Sequence, residues 1–207
     1  MSGYLQKYFP ELSPGHIELF GKMEELYSEW NARINVISRR DMENFELHHL
    51  IHSLSIARIA SFSAGTRILD AGTGGGFPGM PLAMLFPEVS FTLADSIRKK
   101  IGVVEDIACR LGLNNVTPVW TRVEDISESF DFVISRAVTS FPAFTGWTLP
   151  LVKPGKRCNL SNGILYLKGG DLTTELGKWN KRVKIFELSS LFEEEFFNGK
   201  KLLHLPV

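Results

Sequence analysis

The period of apolar positions changes once along this chain, near residue 63. Before that point Ile17, Phe20, Met23, Tyr27, Trp30 and Ile34 recur at near-helical spacing behind Ser13-Pro14, a cap followed by a proline suited to a helix's first turn. These aromatics read as core rather than as a base-stacking platform. Asp41 stands where it can cap a further helix running to about Ser61. After Gly65, short apolar runs alternate with helix-period stretches. The pattern predicts strands near 67–71, 90–94, 116–120, 131–135 and 164–168, with helices near 78–86, 97–111 and 141–151 between them. A helix near 172–180 and strands near 183–188 and 201–205 follow. Alternation of this kind gives an α/β fold in one domain: a helical extension over 1–62 and, over 63–207, a Rossmann-like core with a seven-stranded, mostly parallel sheet and helices on both faces.

Residues 66–79 are the densest in chemistry. An apolar strand runs through Asp70 into a turn containing Gly72, Gly74, Gly75 and Gly76, and Phe77-Pro78-Gly79 then opens a helix. Two registers compete for this loop. Gly74, Gly76 and Gly79 satisfy the G-x-G-x-x-G pattern of dinucleotide sites. The other register, Asp70-x-Gly72-x-Gly74-x-Gly76, is followed by a second apolar strand closing on Asp95, and it resembles the S-adenosylmethionine loop of class I methyltransferases. That ligand has an ammonium, a carboxylate and a ribose diol. Asp70 can attract the ammonium through water, glycine N–H groups can face the carboxylate, and Asp95 can accept both hydroxyls. A pyrophosphate would instead need donors where Pro78 has none. The spacing favours the methyl donor.

Composition narrows the picture without deciding it. With 207 residues, 44% of them hydrophobic, the chain can bury one sizeable core. No apolar run reaches membrane-spanning length and the first residues lack a signal-peptide core, so a cytoplasmic protein is expected. Two cysteines, Cys109 and Cys158, make neither a disulfide framework nor a metal cluster. His48, His49 and His52 lie together, but neither a cysteine nor a carboxylate completes a set near them, and no metal is expected. The formal charge is zero, yet residues 151–184 hold eight basic side chains against Asp171 and Glu175. Such a run is either a solvated face or a nucleic-acid contact, depending on where the fold puts it. Arg98, Lys99 and Lys100 extend positive charge from Asp95.

In an open parallel sheet, ligands bind beyond the carboxyl ends of the strands. The third strand leaves through Arg122-Val123-Glu124, where Val123 and Glu124 can contact an adenine ring. The fourth leaves through Ser135-Arg136-Ala137, placing a guanidinium suited to a phosphate or guanine edge. The fifth offers Lys168 before Gly169-Gly170.

Together with Asn35-Val36-Ile37-Ser38, His49, Ser53, the Gly-Thr-Gly-Gly-Gly-Phe-Pro-Gly run and Lys99-Lys100, these segments resemble, in order and over nearly the whole chain, the RsmG (GidB) family of bacterial small-subunit ribosomal RNA methyltransferases. The chain departs from the family's Arg-His-x-x-Asp-Ser pattern at His48 and His52. The resemblance implies S-adenosylmethionine as cofactor and 16S rRNA as partner, within the 30S subunit or an assembly intermediate, with methylation of a guanine N7 in the 530 loop. It implies cofactor contacts from Asp70, Gly72, Gly74, Gly76, Phe77, Asp95, Val123, Glu124 and Arg136. Substrate positioning falls to Arg136 and Lys168, and RNA contact to Arg122, His49, Lys99 and Lys100. Guanine N7 has a lone pair and no proton, so no general base is expected. A small-molecule methyltransferase and a non-catalytic nucleotide-binding module remain the alternatives.

Overall fold

The computed structural model describes residues 3–34 and 36–207; Asn35 of the Asn35-Val36-Ile37-Ser38 segment lies outside the described residues. Seven strands build one sheet: β1 (Arg67–Ala71), β2 (Ser90–Asp95), β3 (Val116–Trp120), β4 (Phe132–Arg136), β5 (Gly163–Gly169), β6 (Lys184–Glu187) and β7 (Lys200–Pro206), in the order β3-β2-β1-β4-β5-β7-β6. The first five pair in parallel, and β7 inserts antiparallel between β5 and β6. Strand order reverses between β1 and β4, which opens a crevice beyond their carboxyl ends. Alternate side chains serve opposite faces. Ile68, Phe91, Leu93, Ile134 and Leu165 pack into one core layer, and Leu69, Ala94, Val133, Ile164 and Tyr166 into the other.

The helices between strands are α5 (Gly79–Leu85), α6 (Arg98–Leu111), α7 (Phe141–Thr148) and α8 (Thr173–Leu176). Gly112, at φ 69°, stops α6 with a left-handed residue. Three short helices and one long one precede the sheet: α1 (Tyr4–Tyr8), α2 (Pro14–Asn31), α3 (Arg39–Met42) and α4 (His52–Leu54). Ser13 caps α2 by accepting the His16 N–H. Phe20, Met23, Leu26 and Tyr27 of α2 are buried in the same layer as Met80 of α5 and Val103, Val104 and Ile107 of α6.

The helix expected from Asp41 to about Ser61 is not continuous. Ser38 takes the cap position: its hydroxyl accepts the Asp41 N–H at 3.1 Å and donates to the Asp41 carboxylate at 2.7 Å. After α3 the chain makes a π-helical turn over Glu46–Ile51 that runs into α4. Of residues 45–56 all but His48 are buried, so packing on every side, rather than one apolar stripe, sets the backbone there. Glu46 from this turn accepts the Gly3 and Leu5 N–H groups and so anchors α1, an element with no signal in the apolar pattern. Among the described residues no helix is long and apolar enough to cross a membrane.

Candidate functional site

A cavity of about 680 Å³ occupies the crevice, a size that suits a nucleoside-sized ligand. Its floor is the glycine loop, represented by Gly72, Thr73, Gly74, Gly75 and Phe77. One side is formed by Asp95, Ser96, Ile97 and Lys100, and by Arg122, Val123 and Glu124. The other is formed by Val36, Ile37, His49, Arg136, Ala137, Val138 and Trp147.

The loop's shape follows from its sequence. Gly72 sits at φ 69°, and a Cβ there would lie 2.7 Å from Val138 Cγ2, so only glycine lets the turn after β4 close over the loop. Gly76, at φ 99°, leaves room for the Tyr27 hydroxyl, which donates to the Gly75 carbonyl from α2. Asp95 ties the loop to β2: one carboxylate oxygen accepts the Gly74 N–H at 2.9 Å, the other the Ile97 N–H at 2.8 Å. Each oxygen keeps a second lone pair for a ligand hydroxyl.

Asp70 is fully buried and outside the cavity wall. Its Oδ2 accepts the Thr73 hydroxyl at 2.6 Å and the Gly79 N–H at 2.8 Å, while Oδ1 is sealed from solvent with no hydrogen-bond partner among the described residues. Burial pushes its carboxyl up to about 7, against the pull of the Thr73 hydroxyl and the Gly79 N–H. The sign for stability is therefore inverted from that of a salt-bridged carboxylate. Between about pH 4 and 7 the folded chain binds more protons here than the unfolded chain, so this group's contribution is full below pH 4 and is lost as pH rises toward 7. An Asp70→Asn variant is expected to lose less stability than the wild type over that window; urea titrations at several pH values measure the difference. Parallel pH profiles would remove the assignment.

Arg136 ends β4 half-buried. Its guanidinium donates to the His48 carbonyl at 3.0 Å and to His49 Nδ1 at 3.1 Å, and lies 5.3 Å from the Phe77 ring centroid. Arginine can only donate, so His49 Nδ1 accepts and Nε2 carries the proton. Burial, then the Arg136 charge, push the imidazole down to about 3, which keeps it neutral. Burial also lowers the Arg136 guanidinium to about 10, leaving it charged at neutral pH. Ala137, the next residue, holds φ 51°, the one described non-glycine residue in the left-handed region.

The residues singled out in the sequence divide accordingly. Gly72, Gly74, Phe77, Asp95, Arg122, Val123, Glu124, Arg136, His49 and Lys100 meet at the cavity; Asp70, Gly76, Lys99 and Lys168 do not line it. Lys168 instead pairs closely with Glu175 of α8 and donates to the Thr139 carbonyl at 2.8 Å, bracing the segment after β4. His48 pairs with Asp41 at 3.0 Å and stacks on Phe196. His52 is buried against Phe196 and Phe197. Ser96, Thr121, Val138 and Trp147 were not singled out. Trp147 had a signal: it falls about 100° off the helix face that buries Phe141, Phe144 and Thr148, so it had to point elsewhere. A smaller recess of about 380 Å³ adjoins the cavity at Ser96, Trp120, Thr121, Arg122 and Asp125, with Trp120 56% exposed.

Comparison with known proteins adds three findings. The family model GidB, described as rRNA small subunit methyltransferase G, matches residues 16–203. Ribosomal RNA small subunit methyltransferase G of Cytophaga hutchinsonii is 48% identical over 202 residues, covering 98% of each chain, and that of Christiangramia forsetii is 50% identical over 203 residues, covering 98% of this chain and 96% of the relative. Among solved structures, a SAM-dependent methyltransferase from Aquifex aeolicus superposes with a TM-score of 0.58 at 16% identity, over 78% of this chain and 93% of that one, which shows a shared fold.

Proposed function

Because the chain belongs to the GidB family of small-subunit rRNA methyltransferases, we propose that it methylates N7 of a guanine in the 530 loop of 16S rRNA, using S-adenosylmethionine, on the 30S subunit or an assembly intermediate in the cytoplasm. The observation that carries the reading is the set of groups the cavity brings together: the carboxylates of Asp95 and Glu124 on one side, where Lys100 and Arg122 also stand, the charged guanidinium of Arg136 on the other, and a glycine floor that any side chain at position 72 would spoil.

The residues fit the cofactor. Asp95 and Glu124 would hold the ribose hydroxyls and the adenine end beside Val123, the glycine loop would take the amino-acid end, and the orphaned Asp70 Oδ1 beneath that loop favours a cationic ligand above it. When bound, S-adenosylmethionine supplies an electrophilic methyl carbon. Arg136 has five N–H donors and spends two on His48 and His49, so the rest are available to orient the guanine edge or its phosphate. His49, the one imidazole among the described lining residues, is neutral with its acceptor nitrogen already used. That suits an acceptor atom with a lone pair and no proton to remove. Holding reactants in near-attack geometry can supply about 7–11 kcal/mol of a barrier. Arg122 and Lys100 at the rim, with Lys99 beyond it, would meet the RNA backbone.

The test is methyl transfer from labelled S-adenosylmethionine to 30S subunits from cells lacking the corresponding enzyme, followed by mass spectrometry of the nucleosides. Labelled N7-methylguanosine mapping to the 530 loop is expected. A folded protein that binds the donor yet labels no RNA would turn the reading to a small-molecule acceptor.

A further inference from the structure

Most of the basic segment lies at the end of the sheet opposite the cavity. Lys153, Lys156 and Arg157 sit on the loop that leads into β5. The Lys153 N–H donates to the Phe130 carbonyl just before β4, and Asn162, just before β5, accepts the Arg157 N–H and donates to the Lys153 carbonyl. Lys178, Lys181, Arg182 and Lys184 lie between α8 and the start of β6. Arg182 reaches the Pro206 carbonyl at 3.4 Å, and Val207 donates to the Asn162 carbonyl, so the two groups share one surface. Pro206 pairs with Gly163, the first residue of β5, whereas the cavity lies past the last. Seven strand residues at about 3.3 Å each separate the two by about 20 Å.

This face carries seven cations. None of its seven cations forms an ion pair among the described residues. Of the segment's two acids, Glu175 is paired with Lys168 toward the cavity end and Asp171 holds the start of α8. Nearby Glu128 is paired with Arg67, and Asp131 is buried against the Arg67 N–H and Asn162. Lys178 and Arg182 each lie 5.3 Å from the Trp179 ring, and Lys184 lies 4.7 Å from Phe186, so aromatic rings interleave the charges. An unpaired basic face with aromatics between its cations suits a nucleic-acid backbone.

We propose that this face is a second RNA contact, gripping phosphates of the substrate at about 20 Å from the target base. The inference rests on the RNA-methyltransferase reading above. At 3.4 Å per stacked nucleotide, about six nucleotides span the gap, so a particle engages both sites, and a short hairpin with the target base in its loop and a stem of about three base pairs, roughly 10 Å, engages one.

The experiment compares wild type with a charge-reversed variant (Lys178→Glu, Lys181→Glu, Arg182→Glu, Lys184→Glu) and a neutral one with glutamine at the same four positions, each confirmed folded by circular dichroism. Methyl transfer is measured on 30S subunits and on the short hairpin, and binding to naked 16S rRNA against salt. Expected are a rise of about tenfold or more in KM for the particle with kcat unchanged, an unchanged KM for the hairpin, and a salt slope for naked rRNA that is shallower by about 3, at 0.7 to 0.9 per lost phosphate contact. Equal KM and slope in all three proteins would overturn the inference, as would equal losses on hairpin and particle. A raised particle KM with unchanged naked-rRNA binding would also overturn it, in favour of a protein of the particle. Wild type inactive on every RNA would instead sink the reading it rests on.

Discussion

Replacing Arg136 with alanine is expected to lower kcat/KM for 30S methylation by about 10²- to 10³-fold, the cost typical of removing one preorganised donor from a reacting centre. Arg136 lines the cavity half-buried, and its surroundings fix it on three sides: the His48 carbonyl, His49 Nδ1 and the Phe77 ring. A guanidinium already oriented, and still charged at neutral pH, need not reorganise when RNA arrives. The alanine variant also leaves His49 Nδ1 without its donor, a further stability loss of about 1–3 kcal/mol. Urea titration separates that loss from the kinetic one, and activity is compared where both proteins are folded. Arg136→Lys is expected to restore little, because one ammonium cannot span both histidine acceptors and the cavity in a planar fork. An Arg136→Ala protein with wild-type kcat/KM would remove the assignment.

The second large effect is expected at Asp95. Its carboxylate braces the Gly74 and Ile97 N–H groups and also faces the cavity. Hydrogen bonds to a charged group contribute about 1.5–3 kcal/mol each, so losing one ligand contact together with the loop brace corresponds to about a hundredfold weaker donor binding. Calorimetric titration of Asp95→Ala with S-adenosylmethionine reads this directly. Asp95→Asn, which keeps one acceptor oxygen, should fall between. Unchanged affinity in the alanine variant would move the ribose contact to Glu124.

The strands and the glycine loop were legible because they depend on near neighbours in the chain. Short apolar runs closing on Asp70, Asp95 and Arg136 mark strand ends, and the sheet's switch point then brings those ends together. Partner choice was not legible. Alternation along β5 says which face Lys168 takes, but not that Glu175 captures it. Ser38 and Asp41 are both good cap residues three positions apart, and the hydroxyl's earlier place in the chain decided the helix start. The π-helical turn that presents the His48 carbonyl and His49 to Arg136 follows from burial on all sides, which a single sequence does not display. The basic run over 151–184 was legible despite the zero net charge, but its place at the end of the sheet opposite the cavity was not.

Tyr27 reaching the Gly75 carbonyl, and Arg136 reaching back to His48 across 88 positions, mean that the cavity joins the N-terminal helices to the middle of the chain. During synthesis the N-terminal helices emerge before α5, α6 and β4, the elements that they contact. Long-range closure of this kind is slow relative to local structure. The π-helical turn therefore reaches its contact with Arg136 only after β4 has been made. A chain that stops short of β4 therefore lacks Arg136 and the cavity wall around it, and weaker donor binding is expected from it.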